Sequence, residues 1–384
     1  MSSDECQDDC TRTFHLYWPC SKNSPSSALA PPDAGVLPLV YAIHCFGCDA
    51  SAMKKWESIA EAFNFVLVRP EGINKSWNSR YCCGYALEKK LNDTRFLELI
   101  RDEVADRSNR VDKDMVYGIG WSNGGYMVTY AAHLFRSIVP IAGYQYENIK
   151  DIAGNSPRGI FQHHSLNDQF VQFDGCCTDS TKKKCCCGIS EASPEQCNSV
   201  DATFDDWAKQ VNQCTSTTTV FKNIVKGIEC RSGNGCVANS TLCVYENSKH
   251  FNMPSFSRAF PMFEEVGHFL ARDACSANGG RWEMDEKSCT CDKIPGDRQS
   301  GLYCSSIGDK SYAGMSHQID QEANASSGIQ VALVEWFVLA TVALFAGAII
   351  LHWRKNGRTS MYKKEDEWKR LSTSEPTDVE LTSR

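Results

Sequence analysis

The run Met115-Val116-Tyr117-Gly118-Ile119-Gly120-Trp121-Ser122-Asn123-Gly124-Gly125 decides the fold of this chain, because an apolar, strand-like run leads directly into a serine flanked by glycines. Residues 126–134, which follow, are mostly apolar and helix-like. A serine on a sharp strand-to-helix turn needs a strained backbone, and glycines two positions to either side let the strand and the helix approach without a Cβ clash. The run therefore predicts a nucleophile elbow at Ser122, with an ordinary strand–helix turn as the alternative.

Strand-like and helix-like stretches alternate outward from this elbow. The predicted strands are residues 14–18, 37–44, 65–69, 115–120, 137–142 and 159–163, and the predicted helices are residues 51–63, 93–106, 124–134 and 201–213. This alternation indicates an α/β fold with a mostly parallel sheet and helices on both faces. With 384 residues, of which 42% are hydrophobic, the chain can bury one large core. We expect one main domain of about 300 residues with appendages.

The cysteines predict the cellular compartment. The chain has 21 cysteines, all between Cys6 and Cys304, which is typical of a disulfide framework formed in an oxidising compartment. Because the count is odd, at least one cysteine is unpaired or forms an intermolecular bond. Glycosylation sequons agree with secretion and occur at Asn74, Asn92, Asn239 and Asn324. The net charge of −7 is spread over both signs, so we expect no nucleic-acid partner.

Residues 331–353 are predicted to form one transmembrane helix, because they are long and apolar and have Trp336 and Trp353 near the two ends. Basic residues are concentrated after this segment, at Arg354, Lys355, Arg358, Lys363 and Lys364. The positive-inside rule therefore predicts a cytoplasmic C-terminus and an extracellular or lumenal main domain. No apolar stretch follows Met1, so either a leader is missing from this sequence or the helix itself directs insertion.

The predicted domain order follows from these composition changes. Residues 1–274 form the main domain, with a cysteine-rich loop at 174–199, and residues 275–304 form a small cysteine-rich segment. A stalk at 305–330, the transmembrane helix and a tail at 354–384 complete the chain. The cysteine-rich loop is interpreted as a disulfide-stapled surface loop, with metal binding as the alternative. Its ligand spacing fits no zinc pattern, so we expect neither a metal nor a cofactor.

A serine nucleophile also needs a base, a carboxylate that orients the base, and two oxyanion donors. In α/β-hydrolases the chain order is serine, acid, histidine, so the partners lie downstream of Ser122. Asp168 follows the predicted strand 159–163, although an aspartate there can also simply form a turn. His250 and His268 are the candidate bases. We favour His268, because the residues before it look like the end of a late strand followed by a loop.

The chain from about Leu39 to His268 resembles the secreted polyhydroxybutyrate depolymerase and feruloyl esterase-like group of α/β-hydrolases. The motifs that carry the resemblance are residues 39–44, Trp77-Asn78 with Cys82-Cys83-Gly84, Asn92-Asp93, Ser122-Asn123-Gly124-Gly125-Tyr126-Met127, residues 164–171, residues 207–214 and Gly267-His268. The resemblance implies that Ser122 is the nucleophile, Asp168 the acid and His268 the base. Trp77 and Trp121 are candidate substrate-binding residues.

The loop after the second predicted strand departs from this group. The group usually has His-Gly before the oxyanion donor, whereas here His44 is followed by Cys45, Phe46, Gly47 and Cys48. Because the donor is a backbone amide, Phe46 can supply it, with the amide of Asn123 as the second donor. The Cys45-x-x-Cys48 spacing also matches a redox motif, but its position in the oxyanion loop disfavours that interpretation.

Three functions are therefore considered. The first is a membrane-anchored carboxylic-ester hydrolase that acts on an ester substrate through an acyl-enzyme on Ser122. The second is a cell-surface binding protein that keeps the fold without turnover, which the cysteine-rich appendages, stalk and tail favour. The third is a peptidase, which is disfavoured because such enzymes generally carry a further domain. The presence of a serine, an acid and a histidine in the required order favours the enzyme. The acyl and alcohol specificity and the oligomeric state cannot be predicted from the sequence.

Overall fold

A computed structural model of the chain describes residues 12–19, 36–80, 82–108, 110–144, 149, 153–154, 156–175, 199–222, 227–250 and 261–291. All of these belong to the first of the two units into which the chain divides, Met1–Gly308 and Asp309–Arg384. The predicted stalk, transmembrane helix and tail, and nearly all of the cysteine-rich loop, lie outside the described residues. Among the described helices, none has the length and apolar character needed to cross a membrane.

The described part is organised around a nine-stranded sheet with the strand order β1-β3-β2-β4-β5-β6-β9-β8-β7. Neighbours from β3 to β9 in this order run parallel, whereas β1, β8 and β7 are antiparallel to their neighbours. The strands are β1 (Phe14–Tyr17), β2 (Leu37–Ile43), β3 (Val66–Pro70), β4 (Val111–Trp121), β5 (Ser137–Ile141), β6 (Gly159–Ser165), β7 (Ser216–Lys222), β8 (Ile228–Asn234) and β9 (Ser240–Tyr245). The predicted mostly parallel sheet is thus confirmed.

Helices cover both faces of this sheet. They are α1 (Trp56–Phe63), α2 (Gly84–Glu88), α3 (Asp93–Arg107), α4 (Asn123–Tyr130), α5 (Val200–Asp206), which continues into a π-helical turn at Trp207–Val211, and α6 (Met262–Ala277). Helices α3, α4 and α5 pack in one buried cluster with one set of strand side chains. Helices α1 and α6 pack in a second cluster with the alternate strand side chains. Strands β2, β3, β5 and β6 are buried along their whole length, as expected of a parallel sheet that is covered on both faces, although β6 carries the polar residues Gln162, His163 and His164.

Helix α6 differs from the sequence prediction of a loop at His268. Its apolar residues recur at helical spacing, and Met262, Val266, Leu270 and Ala274 are fully buried. Gly267 lies where the ring of Phe63 on α1 would be only 2.3 Å from an added Cβ, so glycine permits close packing of α1 and α6. The glycine before His268 therefore serves helix packing rather than a loop.

Disulfides hold the C-terminal elements together. Cys214–Cys236 and Cys230–Cys243 join residues at the antiparallel end of the sheet. The sequence analysis predicted no strand in this region. Cys275–Cys289 links α6 to a small hairpin formed by β10 (Gly280–Glu283) and β11 (Ser288–Cys291). The domain boundary proposed at residue 274 falls within α6, one residue before this disulfide.

Candidate active site

Ser122 lies on a strained turn between β4 and α4. Its φ is 54° and its ψ is −116°, a backbone conformation that residues other than glycine rarely adopt. The turn is held because the Ser122 amide donates to the Ile141 carbonyl at 2.8 Å, and the Ser122 carbonyl accepts from the Tyr126 amide at 3.0 Å. The side chain is nearly buried, with 5% of the residue exposed. This is the backbone geometry expected of a nucleophile elbow.

Close backbone contacts explain the glycines around Ser122. A Cβ on Gly120 would lie 1.9 Å from the Gly124 carbonyl oxygen, so the strand and the first turn of α4 are in direct contact. A Cβ on Gly124 would lie 2.1 Å from the Ile43 carbonyl oxygen and 2.7 Å from that of His44. The elbow therefore packs directly against the end of β2, where the predicted oxyanion loop begins.

Asp168 is held in a fixed orientation just after β6. Its Oδ1 atom accepts hydrogen bonds from the amides of Phe170 at 2.9 Å and Val171 at 2.8 Å. The side chain is fully buried. Its second oxygen, Oδ2, is 2.7 Å from Nδ1 of His250. The two backbone donors thus leave one carboxylate oxygen to face the histidine.

His250 connects this carboxylate to the serine. It lies five residues after β9, and its Nε2 atom is 2.8 Å from Oγ of Ser122. An ionised carboxylate only accepts hydrogen bonds, so Nδ1 carries the proton and Nε2 accepts from the Ser122 hydroxyl. His250 is 1% exposed, and its ring lies 5.3 Å from the ring of Phe170. The three side chains form one continuous hydrogen-bonded chain, with the base positioned to take the serine proton.

His268, the base favoured from the sequence, is not at this site. It lies on α6, where its Nδ1 atom accepts from the Trp282 indole at 3.2 Å and its ring packs edge-on against Phe63 at 4.9 Å. Burial lowers the pKa of His268, and the nearby positive charge of Lys287 lowers it further. The preference for His268 over His250 is therefore corrected in favour of His250. The sequence analysis did not predict strand β9, Ser-Thr-Leu-Cys-Val-Tyr. Recognising it would have placed His250 in a loop that follows a late strand.

A second histidine supports the Asp168 turn. His164 donates from Nε2 to the Val171 carbonyl at 2.7 Å, and the same Nε2 is 3.7 Å from Oδ2 of Asp168. Burial lowers the pKa of His164, although the carboxylate of Asp168 opposes this effect. A neutral His164 thus fixes the carbonyl of a residue whose amide binds Asp168. The sequence analysis did not predict this contact.

The two predicted oxyanion donors lie on neighbouring elements of the same sheet edge. Phe46 is in the loop after β2, which the Cys45–Cys48 disulfide closes, and Asn123 is the first residue of α4. Because β2 pairs directly with β4, the carboxyl ends of these strands are adjacent. The amide of Gly47, next to Phe46, donates to the Lys75 carbonyl at 2.8 Å, which holds the loop. Phe46 is 51% exposed, so its side chain lies at the surface.

The two tryptophans proposed to bind substrate have different environments. Trp77 is fully buried, and its indole N–H donates to the His44 carbonyl at 3.0 Å. Trp77 is therefore part of the support of the oxyanion loop and is not open to substrate. Trp121 immediately precedes Ser122 and is only partly buried. Its indole Nε1 is buried without a hydrogen-bond partner in the described part of the chain.

His44 also supports the loop, in a neutral form. Its Nδ1 atom donates to the Cys45 carbonyl at 2.8 Å, and its Nε2 atom accepts from the Gly72 amide at 3.0 Å. Burial lowers the pKa of His44, whereas the backbone hydrogen bond to Cys45 raises it. Since Nε2 must accept from an amide, the neutral form is the one that fits.

Within the described residues, no group of histidine, cysteine, aspartate and glutamate side chains could hold a metal ion.

Comparisons with known proteins find similarity at the level of structure only. A scan against protein-family models finds no match, and a search of curated proteins finds no significant relative. The chain is similar to an acetyl xylan esterase from Aspergillus awamori, with 12% identity and a TM-score of 0.42 over 65% of this chain and 93% of that one. It is similar to esterase PE8, with 12% identity and a TM-score of 0.41 over 68% and 98% of the two chains.

An S-formylglutathione hydrolase from Agrobacterium tumefaciens is similar at 13% identity and a TM-score of 0.40, over 68% of this chain and 90% of that one. Such values are too low to assign an activity. The sheet order, the elbow after β4 and the order of Ser122, Asp168 and His250 along the chain make this an α/β-hydrolase-like fold. The activity has to be inferred from the geometry of the site.

Proposed function

We propose that this protein is a serine carboxylic-ester hydrolase in which Ser122 is the nucleophile, His250 the general base and Asp168 the orienting acid. The carrying observation is the unbroken chain of hydrogen bonds from Asp168 through His250 to Ser122, at 2.7 and 2.8 Å. These distances are within the range over which a base can accept a serine proton. The strained backbone of Ser122 supports the same role, since such strain is typical of a nucleophile elbow.

The reaction follows from these contacts. Ser122 Oγ attacks the ester carbonyl carbon while its proton passes to Nε2 of His250, and the carbonyl oxygen becomes an oxyanion. The amides of Phe46 and Asn123 are proposed to bind that oxyanion. When the intermediate collapses, the alcohol leaves with the proton from His250. Water then attacks the acyl-enzyme as His250 takes one of its protons, and the carboxylic acid is released with the hydroxyl of Ser122 restored.

The sequence resemblance favours the polyhydroxybutyrate depolymerase and feruloyl esterase-like group within this class. The exposed side chains beside the site add a preference for apolar substrates. Phe170 is 50% exposed and packs against His250, and Phe46 is 51% exposed in the oxyanion loop. Exposed aromatic side chains next to a nucleophile offer an apolar surface to the acyl or alcohol part of an ester.

Labelling with a fluorophosphonate tests the proposed activity, because only an activated serine is phosphonylated at a useful rate. The wild-type protein should be labelled and should hydrolyse p-nitrophenyl acetate. Ser122→Ala should abolish labelling and lower turnover by about 10⁴-fold or more. A folded wild-type protein that is neither labelled nor active would instead favour the cell-surface binding protein.

A matched pair of histidine variants tests the identity of the base. His250→Asn should lower kcat by several powers of ten, since asparagine cannot accept the serine proton. His268→Asn should leave most of the activity, because asparagine can still accept from the Trp282 indole and lies away from Ser122. Loss of activity in His268→Asn with retention in His250→Asn would restore the original assignment.

The cellular setting is proposed on the basis of the sequence. We propose a single-pass membrane protein with the hydrolase domain outside the cytoplasm, the helix at residues 331–353 and a cytoplasmic C-terminus. Disulfides such as Cys214–Cys236 and Cys275–Cys289 support maturation in an oxidising compartment. With a leader supplied, the domain should shift on a non-reducing gel after dithiothreitol and lose mass on deglycosylation. A tag after Arg384 should stay protected from protease added to intact cells, and a reduced, unglycosylated domain would contradict this topology.

A further inference from the structure

The side chain of Asn123 fixes the residue that follows the nucleophile. Its Oδ1 atom accepts from the Trp77 amide at 2.8 Å, and its Nδ2 atom donates to the Trp77 carbonyl at 3.1 Å. Asn123 and Trp77 are both fully buried. Because the carboxamide binds both main-chain groups of one residue, it can neither rotate nor shift without losing both bonds. The backbone amide of Asn123, a proposed oxyanion donor, is thereby held in place.

The side chain of Trp77 extends this connection to the other donor. Its indole N–H donates to the His44 carbonyl at 3.0 Å, and its ring lies 4.9 Å from the His44 ring. His44 is two residues before Phe46, whose amide is the second proposed donor. The two proposed donors, which follow the neighbouring strands β2 and β4, are therefore linked through a single buried residue, Trp77.

The loop that carries Trp77 is itself anchored. The amide of the next residue, Asn78, donates to Oδ2 of Asp93 at 2.6 Å, and the Asn78 side chain donates to the Leu91 carbonyl at 2.8 Å. Asp93 is buried and forms an ion pair with Arg12 at 2.6 Å. Trp77 therefore belongs to an anchored loop and contacts both Asn123 and His44.

We propose that the indole of Trp77 and the carboxamide of Asn123 are positioning groups that set the separation of the two oxyanion-hole amides. This inference rests on the proposed function, in which the amides of Phe46 and Asn123 stabilise the oxyanion. Donors of this kind act because they are fixed before charge develops, so a displaced donor loses much of its effect. The oxyanion exists only after the attack, so the displacement should lower kcat and leave KM nearly unchanged.

Trp207 provides a matched control for Trp77. It is also fully buried, and its indole N–H donates to a backbone carbonyl, that of Arg158, at 2.9 Å. Arg158 precedes β6, at the end of the strand opposite to the end that leads to Asp168. Trp77→Phe removes the indole donor from the His44 carbonyl. In Trp207→Phe the Arg158 carbonyl still accepts from Asn212 Nδ2 at 2.8 Å, so this variant should lose no more stability than Trp77→Phe.

The experiment compares Trp77→Phe and Trp207→Phe by p-nitrophenyl acetate hydrolysis and thermal unfolding. We expect both variants to lower Tm, Trp207→Phe by no more than Trp77→Phe. Only Trp77→Phe should lower kcat, by about 10-fold or more, with KM changed by less than about 2-fold. An equal kcat loss in both variants, or an unchanged kcat in Trp77→Phe, would overturn the proposal.

Asn123→Asp provides a second test, should Trp77→Phe fail to fold. The variant keeps the acceptor for the Trp77 amide but places a carboxylate oxygen against the Trp77 carbonyl. It therefore disrupts the contact between residue 123 and Trp77 without changing the Trp77 side chain. We expect kcat to fall by about 10-fold or more, with Ser122 still labelled by fluorophosphonate at a reduced rate. Wild-type kcat in this variant would overturn the proposal. A wild-type protein without labelling or turnover would count against the ester-hydrolase function itself.

Discussion

Asp168→Asn should nearly abolish activity by reversing the tautomer of His250, with little change in shape. Asp168 accepts two backbone N–H groups at Oδ1, from Phe170 at 2.9 Å and Val171 at 2.8 Å. In the variant, the single amide oxygen has to occupy this position, because an NH₂ group there would face two donors. The NH₂ group is then directed at Nδ1 of His250, in place of the carboxylate oxygen that lies 2.7 Å away in the native chain.

The tautomer determines the size of the effect. Nδ1 of His250 must accept from the NH₂ group, so the ring proton moves to Nε2, the atom that faces Ser122 Oγ at 2.8 Å. A protonated Nε2 cannot accept the serine proton. The same exchange in serine proteases lowers kcat by about 10⁴-fold, which corresponds to about 5.5 kcal/mol at about 1.4 kcal/mol for each factor of ten. We expect a loss of similar size here.

Steady-state hydrolysis of p-nitrophenyl acetate measures this loss, with thermal unfolding as the check on folding. Asp273→Asn is the matched control, because Asp273 is also nearly buried and accepts from Tyr117 at 3.1 Å and Arg136 at 2.7 Å, but lies on α6. The control should lose stability and keep kcat. Activity of Asp168→Asn within about 10-fold of wild type, in a folded protein, would refute the role of Asp168 in orienting His250.

Three further predictions concern packing, pH and substrate. Gly120→Ala should lower the free energy of unfolding in urea by at least about 3 kcal/mol, because its Cβ would lie 1.9 Å from the Gly124 carbonyl oxygen. Gly154→Ala is the control, because an added Cβ there meets open space and only the φ of 70° is unfavourable, so the loss should be about 1 kcal/mol. Burial lowers the pKa of His163 to about 3, and its unfolded pKa is near 6.5, so the unfolded state binds more protons in acid. Stability should therefore fall by about 2 kcal/mol between about pH 7 and pH 5 because of this residue, and His163→Gln should remove that part of the pH dependence. Phe170→Ala should raise KM for p-nitrophenyl butyrate about 3-fold or more and KM for p-nitrophenyl acetate less, since the half-exposed ring of Phe170 offers apolar surface beside His250. Equal effects on both esters would argue against this contact.

The parallel half of the fold could be predicted from the sequence because its strands are short apolar runs bounded by turns. The predicted strand at 137–142 is observed at Ser137–Ile141, and the one at 159–163 is observed at Gly159–Ser165. The antiparallel strand β1 was predicted at residues 14–18, whereas β7, β8 and β9 were not recognised. Strand β7 begins Ser-Thr-Thr-Thr, and β8 is mostly polar and only partly buried, so neither has the apolar run that marks a buried strand.

The positions of Ser122 and Asp168 in the site could be predicted for a related reason. Ser122 is surrounded by glycines that the close approach of strand and helix requires, and Asp168 follows a fully buried strand. His250 has no such local pattern, because its position depends on where the loop after β9 lies in space. The loop assigned around His268 is instead a helix, whose Gly267 packs against Phe63. A glycine followed by a histidine therefore had two physical explanations, and only the three-dimensional arrangement distinguished them.

The same dependence on spatial contacts applies to the proposed oxyanion loop, in which Cys45 follows His44 where the group that the sequence resembles has glycine. Replacing the usual glycine with Cys45 restricts the local backbone, so a preformed donor has to be held by other contacts. The chain supplies them at both ends of the segment, through the Cys45–Cys48 disulfide and through the Trp77 indole on the His44 carbonyl. The sequence analysis named Trp77 as a candidate substrate-binding residue. Its complete burial assigns it to the support of the loop, so substrate selectivity is expected to come from the exposed rings of Phe46 and Phe170.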